Sequence, residues 1–282
     1  MKVCLIGYGI IGAAWAVHYR QDGHELVVWN RTPRPDVPGF VADLACAAAD
    51  AEVLHVVVAD PPAVQSVLDG MDPVLGPGQL LLQSSTISPG ASARFHARVE
   101  SRGVDYVEAP FTGSKPAAEQ RQNVFFIGGS APAKARALKI LQPLSRAVLD
   151  FGGHCQASAI KLALNLQIAA ISQGLAEGLE FSRRAGIDDA RFFEALDLNV
   201  AHSGLSDLKK AKLMASDFTP QFSVKHLHKD LRLAVESAAE GQLPLTGELC
   251  TIYQRGLEAG WGDLDFTALI RLLQAGEQKG ES

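Results

Sequence analysis

The sequence predicts an α/β domain followed by an all-α domain, the two joined by a long helix. Three observations carry this. Short apolar runs alternate with helix-compatible stretches as far as Phe151, strand-like runs cease after Gly153, and residues 152–184 form one apolar helical tract. At 282 residues, 47% of them hydrophobic, the chain can build a sizeable core, and we expect domains at 1–153 and 154–282.

Val3–Ile6 is a short apolar run ending in Gly7-Tyr8-Gly9-Ile10-Ile11-Gly12. Ala13–Gln21 is then helix-compatible up to a stop at Gly23, and Glu25–Trp29 reads as a second strand. Strand, glycine turn, helix and strand in this order make the Rossmann-type, dinucleotide-binding context of the G-x-G-x-x-G pattern. Gly7 makes the tight turn, Gly9 lets a pyrophosphate approach the backbone, and Gly12 lets the helix pack against the strand. The helix N-terminus supplies N–H groups and a positive dipole. Where an NAD-binding chain places an acidic residue on the ribose, this one has Asn30, Arg31 and Thr32. Arg31 can pair with a 2′-phosphate, so NADP is the expected cofactor, with NADPH preferred over NADH.

Residues 33–39 hold three prolines and exclude regular helix, so the crossover to the next strand, Val53–Val58, is short. Ala59-Asp60-Pro61-Pro62 is a loop at the carboxyl end of that strand, where open α/β sheets bind ligands; Val58 and Ala59 are candidates there. Gln79–Gln83 is a strand, followed by the polar turn Ser84–Ser88 and a helix over 89–101. Val104–Glu108 is another strand, ending in Ala109-Pro110-Phe111-Thr112-Gly113-Ser114. Thr86, Thr112 and Ser114 all fall just after strands, where a hydroxyl serves as a cap, a turn residue or a ligand. A strand over 124–127, a helix over 132–144 and a strand over 147–151 complete the first domain.

The helical tract that follows is apolar nearly all round and should be buried. A lysine in such a helix needs a partner or a task. Lys161 and Asn165, four apart, share a face, and chemistry is expected on that face. Further helices are expected over 190–198, 206–214 and 224–240, with shorter pieces to the C-terminus and a frayed tail, GEQKGES. In Phe222–Ala234, Leu227, Leu231 and Ala234 make an apolar stripe beside the i,i+4 pairs Lys225/Lys229 and His226/Asp230. On spacing alone, a solvated helix face accounts for those charges. His226 and His228 lack a Cys/His or acidic cluster at ligand spacing, so no metal is expected.

A net charge of −5 and the lack of any Lys/Arg-rich run argue against nucleic acid as a partner. Cys4, Cys46, Cys155 and Cys250 form no CxxC pair, which fits a reducing, cytoplasmic setting without zinc or disulfides. The N-terminus lacks the basic region of a signal peptide. The tract 160–176 is broken by Lys161, Asn165 and Gln167 and does not read as a membrane span.

Taken together, GYGIIG, VVWNRT, VVADPPAV, SSTISP, EAPFTGSKPAAE, the Lys161-x-x-x-Asn165 helix and FSVKHLHKDLRLA resemble the β-hydroxyacid dehydrogenase family over nearly the whole chain. That family includes 3-hydroxyisobutyrate dehydrogenases and glyoxylate/succinic semialdehyde reductases, and the motif wording is nearer the semialdehyde reductases. The resemblance implies that Lys161 is the catalytic acid/base and that Asn165 holds the substrate. It implies that Thr112, Gly113 and Ser114 cradle a small substrate's carboxylate, that Thr86 touches the cofactor, and that Lys229 and Asp230 close the site. Hydride transfer leaves charge on a carbonyl oxygen, which a protonated lysine can neutralise. The chain departs from the family pattern at Thr112 (usually serine), Cys155, Ala157 and Arg121 (usually glycine) and Gln83 (usually aspartate). Imine reductases share this architecture but generally lack the lysine, and a non-catalytic nucleotide-binding protein would have no use for the Lys161/Asn165 pair. Leu166–Phe181 is too apolar for one small domain to cover, so a homodimer or homotetramer is expected.

Overall fold

Val3 and Leu5 enter one hydrophobic cluster and Cys4 and Ile6 another, as the two-residue period of a strand requires. The same division recurs with Leu80 and Leu82 against Leu81. Such strands are covered on both faces, which is why they read as continuous apolar runs. The computed structural model describes residues 1–274 and divides into two compact units, Met1–Leu162 and a second that begins at Ala163. The terminal GEQKGES, expected to fray, lies outside the described residues.

The first unit runs β1 (Lys2–Ile6), α1 (Ile10–Gln21), β2 (Glu25–Trp29), α2 (Leu44–Ala48), β3 (Val53–Val56), α3 (Pro61–Met71), β4 (Leu80–Gln83) and α4 (Pro89–Glu100). It continues through β5 (Asp105–Glu108), β6 (Phe111–Thr112), α5 (Lys115–Glu119), β7 (Asn123–Gly129), α6 (Ala131–Leu141) and β8 (Ser145–Asp150). The sheet order is β2-β1-β3-β4-β5-β7-β6, with β8 paired to β7. The first five strands of that order are parallel; β7 runs antiparallel to β5 and to β6, and parallel to β8. Because β1 has β2 on one side and β3 on the other, its carboxyl end, at Gly7, is a topological switch point.

Two expected boundaries are corrected in this unit. β3 stops at Val56 because Val58 N–H turns to Ser85 Oγ at 2.8 Å. The loop expected over residues 59–62 gives way at Pro61 to α3, whose N-cap Asp60 accepts from Ala63 N–H at 2.8 Å. Proline at the first helical positions sacrifices no bond there.

A 29-residue helix, α7 (Gln156–Arg184), spans the division between the units. It starts later than the tract 152–184 because Gly152 and Cys155 are left-handed, with φ of 89° and 75°. The second unit holds α8 (Asp189–Asp197), α9 (Gly204–Met214), α10 (Val224–Ser237), α11 (Pro244–Glu258) and α12 (Arg271–Gln274), and no named strand among the described residues. Helix α10 ends three residues before the expected 240, where Ala238 turns extended. The pieces expected beyond it include the 15-residue α11. Ala169 joins Leu227, Leu231 and Leu249 in one core, and Leu175, Ala176 and Leu179 join Phe193 and Leu213 in another. By length and composition α7 could cross a membrane, with 44% of its most apolar window buried here. Burial all round, expected from its sequence, does not occur: Leu164, Ile171 and Phe181 are exposed in the single chain.

Candidate active site

The glycine turn after β1 is built for backbone approach. Gly7 has φ of 110°, and a Cβ there would lie 2.2 Å from Val57 O. A Cβ on Gly12 would lie 2.0 Å from Gly7 O, so helix and turn touch backbone to backbone. Gly9 has no heavy atom within 4 Å of its missing Cβ, and α1 opens on it without a side-chain cap. Open space over an uncapped helix start is what a pyrophosphate needs. Tyr8 N–H donates to Asn30 Oδ1 at 2.9 Å, and Asn30 Nδ2 donates to Thr32 O at 2.8 Å, which ties the glycine turn to the end of β2. Ile10, Arg31 and Thr32 are exposed and Ile11 is half-buried. Arg34, which spacing did not single out, lies 5.4 Å from the centre of the Tyr8 ring and pairs with Asp36 at 3.3 Å. Proline-rich sequence hid it, since no periodicity assigns a face to residues 33–39.

Gln83, where the resemblance leads one to expect aspartate, ends β4. Its side chain bonds Ser85 twice, accepting from the backbone N–H at 2.7 Å and donating to the carbonyl at 2.9 Å. That fixes the turn that carries half-buried Thr86 and, through Ser85 Oγ, the backbone at Val58. Ser84 Oγ meets His55 Nε2 at 2.8 Å and Tyr19 OH meets His55 Nδ1 at 2.5 Å. Full burial lowers the His55 pKa from its ordinary 6.5 to about 3, so the ring is neutral.

Thr112 ends β6, Gly113 follows it, and Ser114 is the N-cap residue of α5. Gly113 has φ of 113°, and a Cβ there would lie 2.7 Å from Asn123 Nδ2. Thr112 and Ser114 are half-buried, and Gly113 is exposed. Arg121, where the resemblance leads one to expect glycine, is left-handed with φ of 59°. Its guanidinium bonds both Asp22 oxygens at 2.7 and 2.9 Å and Pro143 O at 2.7 Å, holding a backbone that a side chain disfavours. The same pairing lowers the pKa of the Asp22 carboxyl.

Cys155, where the resemblance also leads one to expect glycine, likewise takes the left-handed conformation. Ala157, fully buried, lies against Gly128: a Cβ on that glycine would be 3.4 Å from the Ala157 Cβ. Ser158 Oγ donates to Glu108 Oε1 at 2.5 Å, and both residues are buried. The first turn of α7 is thus fastened to β5. Lys161 follows three residues on, 9% exposed, and Asn165 four further, 1% exposed. These two residues share one helix face, as their spacing predicts.

In the helical unit, Asn165 Nδ2 donates to Asp230 Oδ2 at 2.6 Å, and Lys229 Nζ lies 3.0 Å from Asp230 Oδ1. Asp230 is buried and Lys229 half-buried, so the solvated-face reading of α10 holds for Lys225 and His226, only in part for Lys229, and not for Asp230. The apolar stripe of Leu227, Leu231 and Ala234 draws its neighbours in. His226 Nδ1 bonds Ser223 Oγ at 2.7 Å. Asp197, His202 and Asp207 offer ligand atoms within 4.8 Å of one another, a grouping that sequence spacing did not reveal. All three are exposed, and Asp197 pairs with Lys210 at 2.9 Å, which supplies positive charge without an ion.

Switch point, glycine turn and strand-end loops define a nicotinamide-dinucleotide-binding unit. The model of the NAD-binding domain of 6-phosphogluconate dehydrogenase matches residues 2–153, and that described as NAD-binding of NADP-dependent 3-hydroxyisobutyrate dehydrogenase matches 155–273. The chain belongs to the 3-hydroxyisobutyrate dehydrogenase-like β-hydroxyacid dehydrogenase family. It is 27% identical to 2-hydroxy-3-oxopropionate reductase of Escherichia coli, covering 97% of each chain. It is 25% identical to glyoxylate/succinic semialdehyde reductase 1 of Arabidopsis thaliana, covering 97% of this chain and 99% of that one. The solved Mycobacterium tuberculosis 3-hydroxyisobutyrate dehydrogenase with L-serine shares the fold, with a TM-score of 0.88 at 23% identity over 97% of this chain and 99% of that one.

Proposed function

We propose that the protein is an NADPH-dependent reductase of a small carboxylated aldehyde or keto acid, running in reverse as a β-hydroxyacid dehydrogenase. The observation that carries this is Lys161, a buried lysine one turn beyond the Ser158–Glu108 bond that fastens α7 to β5. An oxidoreductase family and a dinucleotide fold give such a lysine a proton to move. A bound nicotinamide supplies the hydride. Lys161 donates its proton to the carbonyl oxygen of the substrate and takes it back from the hydroxyl in the reverse direction. Thr112, Gly113 and Ser114 receive the carboxylate through a hydroxyl pair and backbone N–H groups. Asn165, held by Asp230, orients the substrate, and Lys229 completes the cofactor contacts.

Gly7, Tyr8, Gly9, Ile10, Ile11 and Gly12 hold the pyrophosphate; Val58, Ala59 and Thr86 line the path of the cofactor from the neighbouring strand ends. Asn30, Arg31 and Thr32 meet the adenosine ribose, and exposed Arg31 selects the 2′-phosphate. The exposed apolar residues of α7 support a homo-oligomer, and sedimentation at micromolar concentration should give a mass above the monomer. Four free cysteines fit a cytoplasmic enzyme.

The test is NADPH oxidation against glyoxylate, succinic semialdehyde, methylmalonate semialdehyde, tartronate semialdehyde and cyclic imines. Turnover confined to the carboxylated aldehydes is expected. Turnover of imines alone, or tight NADPH binding with no turnover at all, would overturn the reading.

A further inference from the structure

We infer that Asn123, oriented by Trp15, is the positioning residue of the Thr112–Ser114 loop and sets the preference for carboxylated substrates. This rests on the reading of that loop as the carboxylate cradle.

Trp15 and Asn123 are fully buried, 108 residues apart, and the indole Nε1 donates to Asn123 Oδ1 at 3.0 Å. An indole N–H can only donate, so it fixes which end of the amide faces it. The amide NH₂ is thereby directed the other way, where Asn123 Nδ2 donates to Thr112 O at 3.4 Å. The same nitrogen lies 2.7 Å from where a Gly113 Cβ would be, so the amide fills the space that this glycine leaves. Asn123 opens β7, and Thr112 pairs in register with the next residue, Val124. The loop therefore leaves the sheet directly over the amide.

Trp15 is itself clamped. Its ring stacks on His55 with centroids 4.8 Å apart and meets Phe111 and Phe125 at 4.9 and 5.3 Å. It sits on α1, one turn beyond Ile11 of the glycine turn. The anchor of the substrate loop thus rides on the helix that receives the dinucleotide phosphates. A misplaced amide would tilt Gly113 and Ser114 and weaken their hold on a carboxylate, while leaving the phosphate turn at Gly7–Gly12 in place.

Trp15→Phe keeps the aromatic packing and removes the donor; Asn123→Asp keeps an acceptor for the indole and removes the donor to Thr112. Each should raise KM for succinic semialdehyde about tenfold, the worth of one buried hydrogen bond. KM for butanal, which has the same carbon count without the carboxylate, should stay unchanged for both variants. So should kcat with succinic semialdehyde and the NADPH Kd, read from the fluorescence of the reduced cofactor. Loss of packing alone would move the two aldehydes together. A wild-type enzyme with no preference for the carboxylated aldehyde, absence of turnover included, overturns the cradle reading itself. A wild type that discriminates, with both variants discriminating equally well, overturns the role of Trp15 and Asn123.

Discussion

Asn165 Nδ2 lies 2.6 Å from Asp230 Oδ2, with the two residues 1% and 2% exposed. A carboxylate this deeply buried is tolerated because an amide donor and the Lys229 ammonium face it. Asp230→Ala removes the carboxylate that accepts from Asn165 Nδ2 and faces the Lys229 ammonium. We expect a loss of about 1–3 kcal/mol in urea unfolding, and an increase in KM larger than that of Asp230→Asn. Equal stability of wild type and Asp230→Ala would show the bond to be dispensable.

Arg31→Ala should raise KM for NADPH about tenfold or more and leave KM for NADH nearly unchanged, because only NADPH carries the phosphate that the guanidinium meets. A parallel change with both cofactors, or a wild type that prefers NADH in kcat/KM, contradicts the assignment.

At Arg121 the backbone is left-handed and the side chain holds Asp22. Arg121→Gly and Arg121→Ala both lose the ion pair, but only glycine relieves the strain. The glycine variant should be the more stable by about 1 kcal/mol. Alanine equal to or above glycine in chemical denaturation would mean that the backbone relaxes once the guanidinium is gone.

His55 supplies a pH dependence of stability. Its pKa is about 3 in the folded chain against an ordinary 6.5. Between those values the unfolded chain binds the proton and the folded chain does not, so stability rises with pH across that window and levels off above it. From pH 7 to pH 5 this one ring should remove roughly 2 kcal/mol at about 1.4 kcal/mol per pH unit. His55→Gln should flatten the slope by that amount, whatever its effect at pH 7. An unchanged slope in urea midpoints at the two pH values would contradict the assignment.

How far the sequence reached differs from element to element. β2 is legible to the residue, because the continuous apolar run Leu26–Trp29 stands between Gly23 and the polar turn Asn30-Arg31-Thr32. Helix α3 was missed although Asp60-Pro61-Pro62 is a cap followed by proline at the first helical positions. The helix-start signal is present there, but two adjacent prolines fit a loop equally well. The direction of β7 was not legible, since strand patterning carries no polarity. Gly7 and Gly12 are legible as close-approach glycines because each has a local steric reason, a Cβ at either one meeting backbone oxygen. Lys161 and Asn165 stood out because polar residues in an apolar helix contradict their surroundings. The tie between Trp15 and Asn123 was invisible, because nothing in the spacing of residues 108 apart indicates a contact. The left-handed backbone at Cys155 and Arg121 was equally hidden, as neither residue type announces it.

Lys161→Ala, compared with wild type for NADPH-dependent reduction of the best carboxylated aldehyde, tests the central claim most directly. Retained far-ultraviolet circular dichroism and retained NADPH binding should accompany a fall in kcat of about 100-fold to 10,000-fold, the range for removing a general acid. Turnover within a few-fold of wild type in a folded, NADPH-binding Lys161→Ala protein would contradict it.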